Sequence, residues 1–201
     1  MWAYVTDASC FRVRGASYLL DGIKQPADPT AQFQLLNVSV HATQPPKPPP
    51  TCIGTFLRIC VRVHEHRYIA CSFGTTNAVH TLGLAARLFD AAACNRDAAL
   101  QRLKVILHSY DASWFDAMFP QIPLRVANVC SIVSELHAPH AVDVHVDAYD
   151  VGLLRWPLHY AAFRAATTAS FGLGFVLEGQ TPAELPEAVL GAVRLDAFGV
   201  L

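Results

Sequence analysis

Apolar and polar residues alternate from Phe11 to Gly15, with Phe11 and Val13 on one side and Arg12 and Arg14 on the other. A period of two places successive side chains on opposite faces, so this stretch reads as a half-buried strand. Asp21-Gly22 is a turn, and Phe33 to Ala42 reads as a second strand. Thr55 to Val63 and Tyr68 to Phe73 are rich in β-branched and aromatic residues, which predicts a hairpin around His64-Glu65-His66-Arg67. Thr76 or Asn77 then caps a helix that carries Val79, Leu82, Ala86 and Phe89 on one stripe. Cys94-Asn95 ends it, and Asp97 opens a second helix with Leu100, Leu103 and Leu107 inward.

After a connector from Phe119-Pro120 to Pro123, Val126 to Val133 and Val142 to Tyr149 read as strands that turn at Ala138-Pro139-His140. Asp150 caps a long helix from Val151, apolar around much of its circumference and therefore expected to be the central packed element. Phe171 to Leu177 is a strand. Thr181-Pro182-Ala183-Glu184 combines a cap, an N1 proline and a first-turn acid, so a short helix follows. Val189 to Phe198 closes the chain as a strand. This order predicts an α+β fold: an antiparallel sheet packed against a long helix in the C-terminal half and a pair of shorter helices. Gln44 to Thr51 holds five prolines and cannot join a sheet ladder, so residues 44–51 form a surface loop within a single domain spanning 1–201.

Composition sharpens this picture. A chain of 201 residues buries roughly 70% of its unfolded surface and needs neither metal nor disulfide for stability. It is 53% hydrophobic and only 15% charged, so apolar surface must go into a thick core, an apolar ligand cavity or a partner. The longest apolar run, Val151 to Leu177, contains Arg155, Arg164 and Pro157. Each Arg would cost about 2.5 to 3.5 kcal/mol at a bilayer centre, which points to a buried helix and strand rather than a membrane span. A net charge of −1 argues against an electrostatic nucleic-acid binder. The six cysteines form no C-x-x-C and suggest neither a disulfide scaffold nor a zinc knuckle. With no signal-peptide pattern after Met1, the expected compartment is reducing and cytoplasmic.

Candidate chemistry is sparse. Neither a nucleophile elbow nor a P-loop is present, and no Gly-x-Gly-x-x-Gly follows a strand, so no catalytic residue and no cofactor is assigned. Asp143, His145 and Asp147 share one strand face. They form either a metal or headgroup site, an acid–base set, or a solvated face opposite Val142, Val144 and Val146. His64 and His66 share a face at a hairpin tip, where zinc would need a third ligand such as His41 or Cys71; an exposed tip is the simpler account, and no metal is assigned. Arg12 and Arg14, with Lys24 downstream, suit a lipid phosphate. The competing account is an internal salt bridge to Glu184, Glu187 or the Asp143–Asp147 strand. Cys94 and Cys130 look like buried thiols. Gly172-Leu173-Gly174 permits close packing of a helix on its strand.

Several of these stretches together resemble the C-terminal domain family of the plant protein Enhanced Disease Resistance 2. The resemblance rests on Trp2, on Phe11-x-Val13-Arg14-Gly15-x-x-Tyr18-Leu19, on Lys24-Gln25-Pro26, and on Arg102 to Leu107 with Trp114. It continues through Ala141 to Asp147 and the block from Gly179 through Glu184-Leu185-Pro186-Glu187 to Arg194-Leu195. Two positions depart from the pattern: the proline expected after Arg102-Leu103-Lys104-Val105-Ile106 is Leu107, and the central acid of the 141–147 stretch is His145. The resemblance marks Gly15, Tyr18, Trp114, Glu184, Pro186, Glu187 and Arg194 as structural motif positions. It implies a plant, algal or protist protein linked to disease resistance, whose relatives carry pleckstrin-homology and START lipid-binding domains. The expected function is a non-catalytic lipid- or apolar-ligand-binding domain in signalling, peripheral to endomembranes, with Arg12, Arg14, Lys24, Asp143, His145 and Asp147 as ligand contacts. The alternatives are a protein-interaction scaffold with a solid core and, last, a metal-dependent enzyme using Asp143, His145 and Asp147.

Overall fold

The computed structural model describes residues 2–46, 54–78, 83–94, 100–111, 124–126, 131–138, 141–147 and 170–196. Twelve strands are present among them: β1 (Trp2–Tyr4), β2 (Arg12–Arg14), β3 (Lys24–Pro26), β4 (Gln34–His41), β5 (Thr55–His64), β6 (Arg67–Thr75), β7 (Leu103–Ser109), β8 (Leu124–Arg125), β9 (Ser131–Ala138), β10 (Ala141–Asp147), β11 (Phe171–Leu177) and β12 (Val189–Asp196). Two α-helices join them, α1 (Tyr18–Asp21) and α2 (Ala86–Cys94). The first sheet has the order β1-β12-β11-β7-β8, the second the order β4-β6-β5-β10-β9, and β2 pairs with β3 in a separate ribbon.

The two large sheets share one core. Leu57, Ile59, Cys71, Phe73, Val142 and Val144 of the second sheet pack against Leu103, Phe175, Leu177, Leu190, Val193 and Leu195 of the first. Phe73 meets Phe175 edge to face, with centroids 5.9 Å apart, a geometry that adds to the burial of both rings. Along β11, Phe175 and Leu177 point into this core, whereas Val176 lies in a second cluster with Ala8, Phe11, Val13, Ala27, Ile106, Val189 and Ala192. Strand alternation puts that cluster on the opposite face. The molecule is therefore three layers deep: the N-terminal segment with β2 and β3, the first sheet, and the second sheet. Gly174 makes the outer packing possible, because a Cβ there would lie 2.9 Å from Cγ of the buried Phe11.

This architecture corrects the α+β expectation. Among the described residues the protein is mostly β, and α2 is the one helix of eight or more residues. The second of the expected shorter helices does not form, because Leu103 and Leu107 stand on β7. The segment Leu103-Lys104-Val105-Ile106-Leu107 is buried on both faces of a central strand, and such a run has no alternation to distinguish it from a helix. No long helix packs on either sheet among the described residues, and the stretch read as one from Val151 lies outside them. Nor is there one antiparallel sheet: the described residues form two five-stranded sheets and the β2–β3 ribbon, and in the second sheet β10 runs parallel to β5 with Asp143 opposite Arg58 and Asp147 opposite Arg62.

Other readings hold. Arg12 is exposed and Arg14 half-buried, while Phe11 and Val13 are buried. The 55–73 hairpin forms with His64 opposite Arg67. Phe171–Leu177 is a strand, and Pro182–Glu184 is a one-turn helix closed by a Thr181–Glu184 capping box. The close approach expected at Gly172 and Gly174 is made by the Phe11 ring instead of a helix. In the proline loop, Pro45 is buried and the Pro46 carbonyl accepts a bond from Arg58 Nη1 at 2.7 Å. The rest of that loop, Trp114, Cys130 and the Cys94 side chain lie outside the described features.

Candidate functional site

The polar centre of the molecule lies between the N-terminal ribbon and the outer face of the first sheet. Lys104 is a lone cation in an apolar strand and only 4% exposed. Its Nζ donates to Glu187 Oε1 at 2.8 Å. Burial pushes the Lys104 ammonium down from its usual value, and its hydrogen bond to Glu187 opposes that. Glu187 also accepts from the backbone N–H of Gly179 at 2.9 Å and of Arg14 at 3.1 Å, and its own N–H donates to the Arg14 carbonyl. A single carboxylate thus fastens β2 onto the first sheet.

Glu178, at the end of β11, is buried beside it. Its oxygens lie 2.6 Å from Arg14 Nη2 and 2.6 Å from Arg125 Nε. Burial alone would raise this carboxyl, but Arg125, Lys104 and Arg14 hold it below the usual range. A second cluster follows. Glu184 lies 2.6 Å from both Arg102 Nη2 and Arg87 Nη1, and accepts from the N–H groups of Gln180 and Thr181. The Arg102 hydrogen bond is the largest cause of its lowering to about 2. Arg102 Nε in turn donates to the Glu178 carbonyl at 2.8 Å.

Arg12 and Lys24 stand apart from these ion pairs. They lie on β2 and β3, where Arg14 is directly opposite Lys24. Arg12 Nη2 donates to the Lys24 carbonyl at 2.8 Å, and neither side chain forms an ion pair with a carboxylate among the described residues. Burial lowers the Lys24 ammonium from its usual value; Glu187 opposes this, and Arg14 and Arg12 add repulsion. Three cations therefore crowd one edge of the ribbon. Arg14 is held inward by Glu178 and Glu187 and carries the Tyr18 ring 4.7 Å from its Cζ. Gly15 is buried against the Gln25 side chain.

The other expected contacts lie in a different layer. Asp143, His145 and Asp147 are on β10, in the second sheet, and are not brought together with Arg12, Arg14 and Lys24. Asp143 is 1% exposed and forms a two-bond pair with Arg58; Asp147 pairs with Arg62 at 3.0 Å; His145 Nε2 lies 3.9 Å from Asp143 Oδ2. The face is thus an ion-paired ladder across β5 and β10 instead of a solvated surface. Among the described residues, no group of three or more His, Cys, Asp or Glu is placed to hold a metal ion. Cys60 and Cys71 are buried thiols, both pushed up to about 12 by desolvation. Arg194 stacks 4.3 Å from the Tyr110 ring centroid and pairs with Asp196, and Pro186 lines a cleft with Leu185.

Glu178, Lys104 and Arg125 escaped the sequence reading as site residues. A signal existed for two of them: Lys104 and Glu178 are single charges bordering or interrupting apolar strands, and a charge in that position requires a buried partner. Arg125 carried none.

A family model described as Protein ENHANCED DISEASE RESISTANCE 2, C-terminal, matches residues 60–198. The match covers more than half of the chain, and the protein belongs to that family. Phe11, Val13 and Ala27 precede the matched span, yet they pack against Ile106 of β7, Val176 of β11 and Val189 and Ala192 of β12 within it. No curated protein and no solved structure matches the chain. No described helix is long and apolar enough to cross a membrane.

Proposed function

We propose that this domain is a non-catalytic lipid binder that meets anionic headgroups at its N-terminal ribbon. The observation that carries the reading is the pair Arg12 and Lys24, adjacent, in no ion pair with a carboxylate among the described residues, and crowded by Arg14. An anion at that edge relieves the repulsion and accepts charge-assisted bonds. Each cation held near an anionic membrane surface contributes about 1 kcal/mol. Arg14 is a positioning residue here, since its guanidinium is already committed to Glu178, Glu187 and the Gly179 carbonyl.

Two further observations support the reading. Glu178 and Glu184 are held below the usual carboxylate range, the reverse of what a general acid needs at neutral pH. The cleft lined by Leu84, Leu177, Leu185, Pro186 and Leu190 encloses about 180 Å³. That is short of the roughly 300–1,000 Å³ of sites that engulf a ligand, so this cleft is too small to take up a lipid chain.

Co-sedimentation with phosphatidylcholine vesicles, with and without phosphatidylserine, tests this. Binding is expected to the anionic vesicles alone, to weaken at high salt, and to be lost in the Arg12→Ala/Lys24→Ala variant. Equal binding to both vesicle types, or none, overturns the reading and favours a scaffold domain built on the filled core between the sheets.

A further inference from the structure

The segment between β2 and β3 projects its apolar side chains into solvent. Leu20 is 93% exposed, Ile23 64% and Leu19 47%. None of the four residues of α1 is buried. Gly22 closes the helix at φ 68°, and nothing lies within 4 Å of where its Cβ would be.

The projection is a built feature. Tyr18 is tied down on the Arg14 guanidinium, which is itself fixed by Glu178 and Glu187. Asp21 accepts from Ser17 Oγ and from the Ile23 N–H, each at 2.7 Å, and the Gly22 N–H donates to the Tyr18 carbonyl. These bonds hold the turn in a shape that turns Leu19, Leu20 and Ile23 outward. Three large apolar side chains on one turn, rimmed by polar groups, mark an interaction surface.

We propose that this tip inserts Leu20 and Ile23, with Leu19 beside them, into the acyl boundary of an anionic membrane while Arg12 and Lys24 contact its headgroups. The inference rests on the lipid-binding reading above and adds the apolar half of the contact. A bilayer fits the tip for two reasons. Leu20 and Ile23 protrude into solvent with nothing packed around Gly22 between them, a shape made to enter another phase rather than to receive a peptide. Its flanking charges are two cations in no ion pair with a carboxylate among the described residues, against one acid, Asp21, whose oxygens are engaged within the turn. Apolar residues combined with basic flanks are the composition of interfacial anchors, which sink only to the headgroup–acyl boundary.

The test is vesicle co-sedimentation on phosphatidylserine-containing vesicles with Leu20→Ser, Ile23→Ser and, as a control, Leu36→Ser. Leu36 is 62% exposed but stands on β4 in the second sheet. Serine adds no charge, and residues exposed to this degree can be changed without disturbing the core, which a melting curve verifies. Each tip variant is expected to weaken binding by about tenfold, and the control to bind like the wild type. Wild-type affinity in both tip variants, with anionic binding intact, overturns the insertion and leaves a purely electrostatic contact. Equal loss in the control also overturns it. A wild-type chain that ignores both vesicle types sinks the lipid reading and the tip with it.

Discussion

At the scale of single residues, stability concentrates on a few charges that the fold has removed from water. Glu187 is the partner of a Lys104 ammonium that is 4% exposed. Glu187→Gln removes the countercharge hydrogen-bonded to that ammonium and is expected to cost about 3–5 kcal/mol, read by urea denaturation. Gly174→Ala drives a methyl group to within 2.9 Å of the Phe11 ring. It is expected to cost about 1–3 kcal/mol, and less in a Phe11→Leu background where the ring is gone. Glu184 gives a pH signature. Its folded-state pKa is lowered to about 2 from 4.5, so its contribution is full above the higher value and disappears as pH falls through the lower one. The stability difference between wild type and Glu184→Gln should therefore shrink between pH about 4.5 and about 2; a constant difference across that range contradicts the assignment. Which residues matter was legible where local chemistry was decisive. Thr181-Pro182-Ala183-Glu184 announced its cap, and the Phe11–Arg14 alternation announced its buried face. Which carboxylate Arg14 meets depends on contacts more than 160 positions away, and no local pattern encodes that.

At the scale of elements, β4 and the β5–β6 hairpin follow from the sequence pattern and β-branched content, and Phe171–Leu177 was read with its bounds, whereas β9 at Ser131–Ala138 lies five residues beyond the start of the strand expected at Val126 to Val133. Strand β7 was not legible, because a strand covered on both faces has the same continuous apolar run as a buried helix. The parallel register of β5 and β10 was equally hidden, since it joins segments some 85 residues apart. That register explains the Asp143-x-His145-x-Asp147 pattern: Arg58 and Arg62 repeat at the same spacing of four on β5, and two of the acids meet them. Because Asp143 and Arg58 are both buried, Asp143→Ala strands a guanidinium and is expected to destabilise by about 3–5 kcal/mol. Asp147→Ala, at a half-exposed pair, should cost under about 1 kcal/mol. Equal losses in the two variants would contradict a buried clamp at one end of the ladder and a screened pair at the other.

At the scale of the whole molecule, low charge and high apolar content are accounted for by two stacked cores, one between the sheets and one beneath the N-terminal ribbon. The family was legible in dispersed motifs, and the lipid reading follows from what the fold leaves outside those cores: two cations in no ion pair with a carboxylate among the described residues, and an apolar turn. Hydrogen–deuterium exchange in the presence of phosphatidylserine-containing vesicles tests this account most directly, because it locates the contact. Protection confined to residues 12–26 is the expected result. Protection centred on the cleft at residues 83–85 and 183–190, or no protection anywhere, would contradict it.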